Sequence, residues 1–263
     1  MRILCTFPGR YGDILWALPS VRAVSEHVGE PVDLLIAGEF ASLIPLLEQQ
    51  PYLRMVTALD QWGLTPPEEW RPPVDSYDYD TVLHLGYRGW PQQPLPQFIY
   101  EQCRREYTMM LPPLELERPW ITPGTNTVHR LTGVDVAAFT EEHFELKFGL
   151  CALLKLHNLT PFGSRWITEC DTRHIGCDWQ VAATALASAE VILADCSALH
   201  VLALALGRSV VMMEPSEARR QPIFWPLGYD GRARLVRGHD GQATWDAKHV
   251  RAAMEAMRAE QRR

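Results

Sequence analysis

The sequence contains no CxxC pair; its six cysteines are scattered, a pattern that suits reduced thiols rather than a disulfide framework. No stretch approaches the roughly 18 consecutive apolar residues of a membrane span. The apolar start, Met1 to Phe7, meets Pro8-Gly9 at once. That is far short of a secretory h-region, so a soluble, cytoplasmic protein is expected. There is no GK[ST] and hence no P-loop, and Pro8-Gly9-Arg10-Tyr11-Gly12-Asp13 lacks the third glycine of the dinucleotide fingerprint. Repeats at a solenoid period and low-complexity segments are absent. Positive charge is scarce as well: 25 Lys and Arg stand against 32 Asp and Glu, for a net charge of −7. From Gly207 onward there are 11 basic and 7 acidic side chains, and before it 14 and 25, so the bulk carries about −11 and the tail about +4. An acidic bulk disfavours general nucleic-acid binding, whose affinity comes largely from Lys and Arg on phosphates.

What is present is an ordinary globular composition, 47% apolar and 22% charged over 263 residues, enough for one large domain or two of about 100–150 residues. The chain opens as strand, glycine loop and helix: Arg2 to Phe7, then Pro8 to Asp13, then Ile14, Leu15, Ala17, Leu18, Val21 and Val24 at helical spacing. Pro19 lies inside that run and predicts a kink or a break. Val32 to Ala37 predicts a second strand, Phe40 to Leu47 a helix, Leu53 to Leu59 a third strand and Thr81 to Leu85 a fourth. Strands alternating with helices imply parallel βαβ units. Two irregular stretches, Trp62 to Pro73 and Gly86 to Pro94, carry Trp and Tyr; they are either plain surface loops or loops lining a ligand crevice beyond the strand ends.

Phe98 to Met110 predicts a helix, and Leu111-Pro112-Pro113 with Arg118-Pro119 a linker, dividing the chain into 1–115 and 116–263. Phe144 to Leu156 is strand or helix, because a short apolar run cannot be typed by periodicity. Arg165 to Glu169 predicts a strand, and Asp178 to Ala187 a helix capped by Asp178. Val191 to Ala194 is an apolar strand followed by a polar corner, Asp195-Cys196-Ser197, and by a helix from Ala198 to a stop at Gly207. Val210 to Met213 is the next strand and ends at Glu214-Pro215; Arg234 to Val236 and a helix from Trp245 complete the chain.

Two corners carry candidate chemistry. The start of a helix after Asp195 presents backbone N–H groups that no helical carbonyl uses, a natural place for a phosphate. Asp13 stands at the other loop-to-helix corner and reads either as an N-cap or as a functional carboxylate. His200 faces a cleft or packs in the core; Glu214 holds a ligand hydroxyl pair or is an exposed strand end. Arg219 to Pro226 is a base-stacking ring or a packed loop, and Arg258 to Arg263 a solvated helix end. Cys170, His174 and Cys177 are spaced too loosely for a zinc site that still needs a fourth ligand, so no metal is expected.

Gly9 to Pro19 together with Asp195 to Ala205 and Val210 to Pro215 resembles glycosyltransferase family 9, the heptosyltransferase-like enzymes, whose members carry a loop of the form xLGDxxxxxP near the N-terminus and a DxGxxHxxAAL-like segment near the C-terminus. The resemblance covers both ends, roughly fifty residues, and leaves the middle unmatched. It implies an α/β protein of the GT-B type, with two Rossmann-like parallel-sheet domains facing across a cleft. The acceptor would lie mostly on the N-terminal domain and the nucleotide-sugar donor on the C-terminal one. It further implies an inverting, metal-independent glycosyltransferase with a nucleotide-diphosphate sugar as co-substrate and no other cofactor. Asp13 takes the place of the general base, with Gly9, Arg10, Tyr11 and Gly12 as acceptor loop. Asp195 takes the place of the acid that holds donor hydroxyls, with Cys196, Ser197 and Ala198 facing the diphosphate, and His200 and Glu214 on the donor side. The cation facing the diphosphate has candidates only, Lys155, Arg165, Arg173 and Arg219. The acceptor bears a hydroxyl, and a glycan, a small molecule and a modified nucleobase all remain open. A sugar-nucleotide epimerase and a non-catalytic nucleotide-sugar binder are the competing readings.

Overall fold

The computed structural model describes residues 1–60, 62, 72, 78–89, 94–123, 136–139, 166–168, 179–188, 191–195, 198–214, 233–237 and 247–261. Two compact units emerge, one of them Met1–Thr122 and the other taking in most of the chain from Pro123 onward.

The first unit is built on four parallel strands in the order β3-β2-β1-β4. These are β1 (Ile3–Phe7), β2 (Val32–Ala37), β3 (Leu53–Leu59) and β4 (Thr81–His84). Every residue of β1 and β2 is buried, which is why both read as mostly apolar runs rather than alternating ones, interrupted only by Thr6 and Asp33. Helix α1 spans Tyr11–Val28, and all its residues from Ile14 to Ser25 are buried. A helix covered on every side needs more than a sheet beneath it. The rest of the cover comes from α3 (Leu95–Glu106) and from the segment 115–122.

That segment, part of the expected linker, is bound tightly to the first unit. The Arg22 guanidinium donates to the carbonyls of Pro119 (3.0 Å) and Glu115 (2.6 Å). Tyr52 Oη donates to the Trp120 carbonyl at 2.5 Å. The Gln50 amide exchanges bonds with the backbone of Thr122, 3.1 Å to its carbonyl and 2.8 Å from its N–H. Trp120 itself is buried, its ring stacked on Trp16 with centroids 5.8 Å apart.

The expected break at Pro19 does not occur: α1 runs through it as one helix. Proline removes the N–H that would bond the carbonyl four residues back, here that of Leu15. The Trp120 indole N–H donates to that carbonyl at 3.0 Å, in a buried bond across 105 positions of sequence. A side-chain donor thus replaces the one the helix lost.

Other boundaries shift for local reasons. The helix expected over Phe40 to Leu47 begins as a 3-10 turn, Gly38–Leu43, before α2 (Ile44–Leu47). Helix α3 starts three residues earlier than expected, since Pro94 and Pro96 sit at its N-terminus where a missing N–H costs nothing. It ends before Thr108, whose φ of 51° is left-handed.

The second unit contains five parallel strands in the order β6-β5-β7-β8-β9. They are β5 (Val136–Phe139), β6 (Trp166–Thr168), β7 (Val191–Asp195), β8 (Ser209–Glu214) and β9 (Ala233–Arg237). Among the described residues its helices are α4 (Trp179–Ser188), α5 (Ala198–Ala205) and α6 (Ala247–Gln261). β5 is a central strand that the sequence did not reveal. All eight residues of α5 are buried. It stops as expected at Gly207, where φ is +73° and the Arg208 N–H bonds the Ala203 carbonyl at 2.9 Å, a glycine-terminated cap. The stretch Phe144 to Leu156, the Asp178 cap, the Cys170, His174 and Cys177 set and the loop Arg219 to Pro226 lie outside the described residues.

Candidate active site

In an open parallel sheet, ligands bind beyond the carboxyl ends of the strands, where the strand order reverses. In the first sheet the reversal lies between β1 and β4: from β1 the chain builds outward through β2 and β3, and β4 returns to the other side. The loop after β1 carries Gly9 and Arg10, and the loop after β4 carries Tyr87. These two loops meet. The Tyr87 hydroxyl donates a short hydrogen bond to Asp13 Oδ2, joining residues 74 positions apart.

Asp13 is not the N-cap. The helix begins two residues earlier, at Tyr11, with Arg10 as the cap, which puts Asp13 at the third helical position. Its Oδ2 also accepts the Arg10 backbone N–H, at 3.3 Å, half of a capping box. Burial is the largest influence on its carboxyl and pushes it above the usual carboxylate range; the bonds from Tyr87 and the Arg10 N–H, and the Arg10 charge, pull the other way. Tyr87 is itself held far from ionisation, first by burial and then by the neighbouring Asp13. The phenol therefore stays a donor throughout the physiological range.

The surroundings fix both groups. The Tyr87 ring packs at a tilt on Phe7, the last residue of β1, with centroids 5.7 Å apart. Gly9 lies under them. A Cβ there would overlap the Phe7 ring and stand 2.8 Å from both the Asp13 Cβ and the Tyr87 hydroxyl, so glycine is required for the close approach. Gly9→Ala should therefore push Asp13 and Tyr87 apart and cost about 1–3 kcal/mol of stability, as overpacking does; urea unfolding would read it. Tyr11 points the other way, its hydroxyl 2.9 Å from Ser42 Oγ and its ring edge-on to Phe40. Gly12 is the second residue of α1, and the Arg10 side chain is exposed.

A fully buried carboxylate, Asp33, sits near the amino end of β2, away from this corner. Arg54 grips it with two 2.8 Å bonds, a structural pair. At the carboxyl ends, Thr6 Oγ1 and His84 Nδ1 lie 3.2 Å apart, tying β1 to β4 beneath the loops.

The second sheet has its own reversal, between β5 and β7. Asp195 is the last residue of β7, and α5 starts at Ala198, so the corner singled out in the sequence occupies the switch point of its sheet. Cys196 and Ser197 lie outside the described residues. His200 is 2% exposed within α5, and Glu214 ends β8, the strand beside β7. Of the candidate cations, Lys155, Arg165, Arg173 and Arg219 are all outside the described residues. Among the described residues no group of three or more His, Cys, Asp or Glu is arranged to hold a metal, no helix is long and apolar enough to cross a membrane, and Cys5 is a buried free thiol.

Tyr87 is the residue that sequence reasoning did not assign. Its loop stood out by aromatic content, but nothing in the order of residues ties it to Asp13.

No family model matches the sequence, and no curated protein matches it. Solved structures do match over nearly the whole chain. The family 9 glycosyl transferase from Veillonella parvula DSM 2008 is 11% identical with a TM-score of 0.67, covering 98% of this chain and 97% of its own. The E. coli heptosyltransferase WaaC, solved with ADP-2-deoxy-2-fluoro heptose, is 13% identical at a TM-score of 0.66, with 97% and 99% covered. The E. coli ADP-heptose lps heptosyltransferase II is 15% identical at 0.68 and aligns over 100% of both chains. The chain has the fold of the family 9 glycosyltransferases and heptosyltransferases, an α/β fold of the GT-B type.

Proposed function

We propose that the protein is an inverting glycosyltransferase that moves a sugar from a nucleotide-diphosphate sugar to an acceptor hydroxyl, with Asp13 as general base. The observation that carries the reading is the carboxylate itself: at a strand-order reversal, in a fold shared with heptosyltransferases, burial lifts its proton affinity while two donors hold it in place. A base whose pKa is raised toward the working pH is a stronger proton acceptor.

In the proposed reaction the acceptor O–H gives its proton to Asp13 as its oxygen attacks the anomeric carbon. The bond from that carbon to the diphosphate breaks, and the electron pair leaves with the diphosphate from the opposite face, so the configuration inverts. Backbone N–H groups at the start of α5 would stabilise the departing charge, a role for which preorganised dipoles suffice without a metal. In this reading the N-terminal unit carries the acceptor side, with Gly9, Arg10, Tyr11 and Gly12 beside the base. The C-terminal unit carries the donor side, with Asp195, Cys196, Ser197 and Ala198 at the corner, His200 behind it and Glu214 at the ribose. The protein would work in the cytoplasm, where nucleotide sugars are made.

WaaC was solved with an ADP-linked heptose analogue, so ADP-sugars are the first donors to test. A thermal-shift panel of ADP-, UDP-, GDP- and CDP-sugars and the free nucleoside diphosphates provides the test. A true donor at 100 times its Kd adds roughly 2.7 kcal/mol to stability; no shift across the panel would sink the donor site. Product analysis of a responding sugar without acceptor separates the classes: an isomer marks an epimerase, and an unchanged sugar that acceptors also leave untouched marks a plain binder.

A further inference from the structure

We propose that Tyr87 is the positioning residue of this site: its hydroxyl fixes one oxygen of Asp13 so that the other, Oδ1, faces the proton to be removed. The inference rests on the reading of Asp13 as base. Both hydrogen bonds to the carboxylate fall on Oδ2, one from the Tyr87 hydroxyl and one from the Arg10 N–H. Two donors on one oxygen favour a single orientation of the carboxylate, and its remaining lone pairs take one preferred direction.

The tyrosine is well placed for the task, because it is delivered by rigid elements rather than by a free loop. Just before it, the Leu85 N–H donates to the Thr6 carbonyl at 3.0 Å and the Gly86 N–H to Gln102 Oε1 at 3.1 Å. β1 and α3 thus pin the backbone just before the tyrosine. The ring rests on Phe7, and the missing side chain of Gly9 leaves the space through which the hydroxyl reaches Asp13. The contacts come from β1, from α3 and from the loop between β1 and α1, and together they hold Tyr87 against Asp13.

A tyrosine that only filled space would leave the proton affinity of Asp13 alone; one whose hydroxyl holds Oδ2 would not. The Tyr87 bond favours the ionised carboxylate, so its removal makes the carboxyl hold its proton more tightly. Charge-assisted hydrogen bonds are strong enough for a change of about tenfold in proton affinity. Tyr87→Phe keeps the ring and its packing on Phe7 and deletes only the donor.

The experiment labels the full-length protein with 13C at the aspartate carboxyls and follows their titration by NMR, with Asp13→Asn identifying the Asp13 signal. In Tyr87→Phe the Asp13 midpoint should move up by about one pH unit at a nearly unchanged melting temperature; an unmoved midpoint overturns the proposal. The second arm uses whichever nucleotide sugar of the panel supports turnover. There kcat should fall about tenfold, with KM retained and the acidic limb of the profile displaced upward. A faster Tyr87→Phe enzyme would mean that the phenol plugs the base instead, and would also overturn the proposal. Turnover retained by Asp13→Asn would show that the base assignment had failed, whatever the Tyr87 titration gave.

Discussion

Asp13→Asn is expected to slow sugar transfer by about 10²–10⁴-fold, the usual contribution of a positioned general base, while nucleotide-sugar binding survives. Asparagine is nearly isosteric, and its amide oxygen can still accept from the Tyr87 hydroxyl and the Arg10 N–H that now meet at Oδ2. Only the ability to take a proton is lost. The thermal stability of the variant gives an internal control. Burial raises the Asp13 carboxyl above its unfolded value, so the folded state prefers the protonated form. Ionisation therefore costs stability as pH rises through the unfolded carboxylate range, and the cost is complete above the folded-state value. Asparagine never ionises, so near neutral pH the variant should melt no lower than the wild type. Turnover at the wild-type rate would remove Asp13 from the chemistry. For the wild type, the same raised carboxyl predicts that activity is lost on acidification at a higher pH than an ordinary aspartate would give.

Trp120→Ala should be the most damaging single change to the first unit, at about 3–5 kcal/mol, in the range of large core truncations. The side chain is 2% exposed, it stacks on Trp16 and it supplies the N–H for the Leu15 carbonyl. Trp120→Phe separates packing from hydrogen bonding: the ring stays and the donor goes, leaving a buried carbonyl without its donor at a cost of about 1–3 kcal/mol. The decisive comparison adds Pro19→Ala. With alanine at 19 the helix has its own N–H for Leu15, and Trp120→Phe should then cost much less. A coupling of about 0.5–3 kcal/mol in a double-mutant cycle is expected, read from urea unfolding. Strict additivity of the two changes would show that the indole does not stand in for the missing helix donor.

These two sites also mark where the sequence could be read and where it could not. Both inner strands of the first sheet, Ile3–Phe7 and Val32–Ala37, are buried throughout, and burial on both faces writes itself as an apolar run. The helix after Gly9 was visible from its spacing, and so was the end of α5 at Gly207. Central strand β5 was not, because Val136–Phe139 is four residues long with two alanines, too short and too weakly apolar to show a period. That α1 continues through Pro19 without a break was not legible, because the group that compensates for the proline lies 105 positions away, beyond any local window. Asp13 stands at a helix start as expected, yet the helix begins at Tyr11, three residues before the Ile14 that the spacing indicates, since Gly12 in the first turn looks like loop. The link from Tyr87 to Asp13 follows from strand order alone: it exists because β4 lies against β1, and no spacing along the chain encodes that.

The bond between Trp120 and Leu15 sets a timetable for the growing chain. Synthesis proceeds at about 5–20 residues per second, so the Leu15 carbonyl waits roughly 5–20 s for a donor made 105 positions later. Through that interval the helix from Tyr11 to Val28 has a proline-broken ladder and no cover on the face that segment 115–122 will close. The part of its apolar surface that this segment covers is open to chaperones for as long as the ribosome takes to reach Trp120.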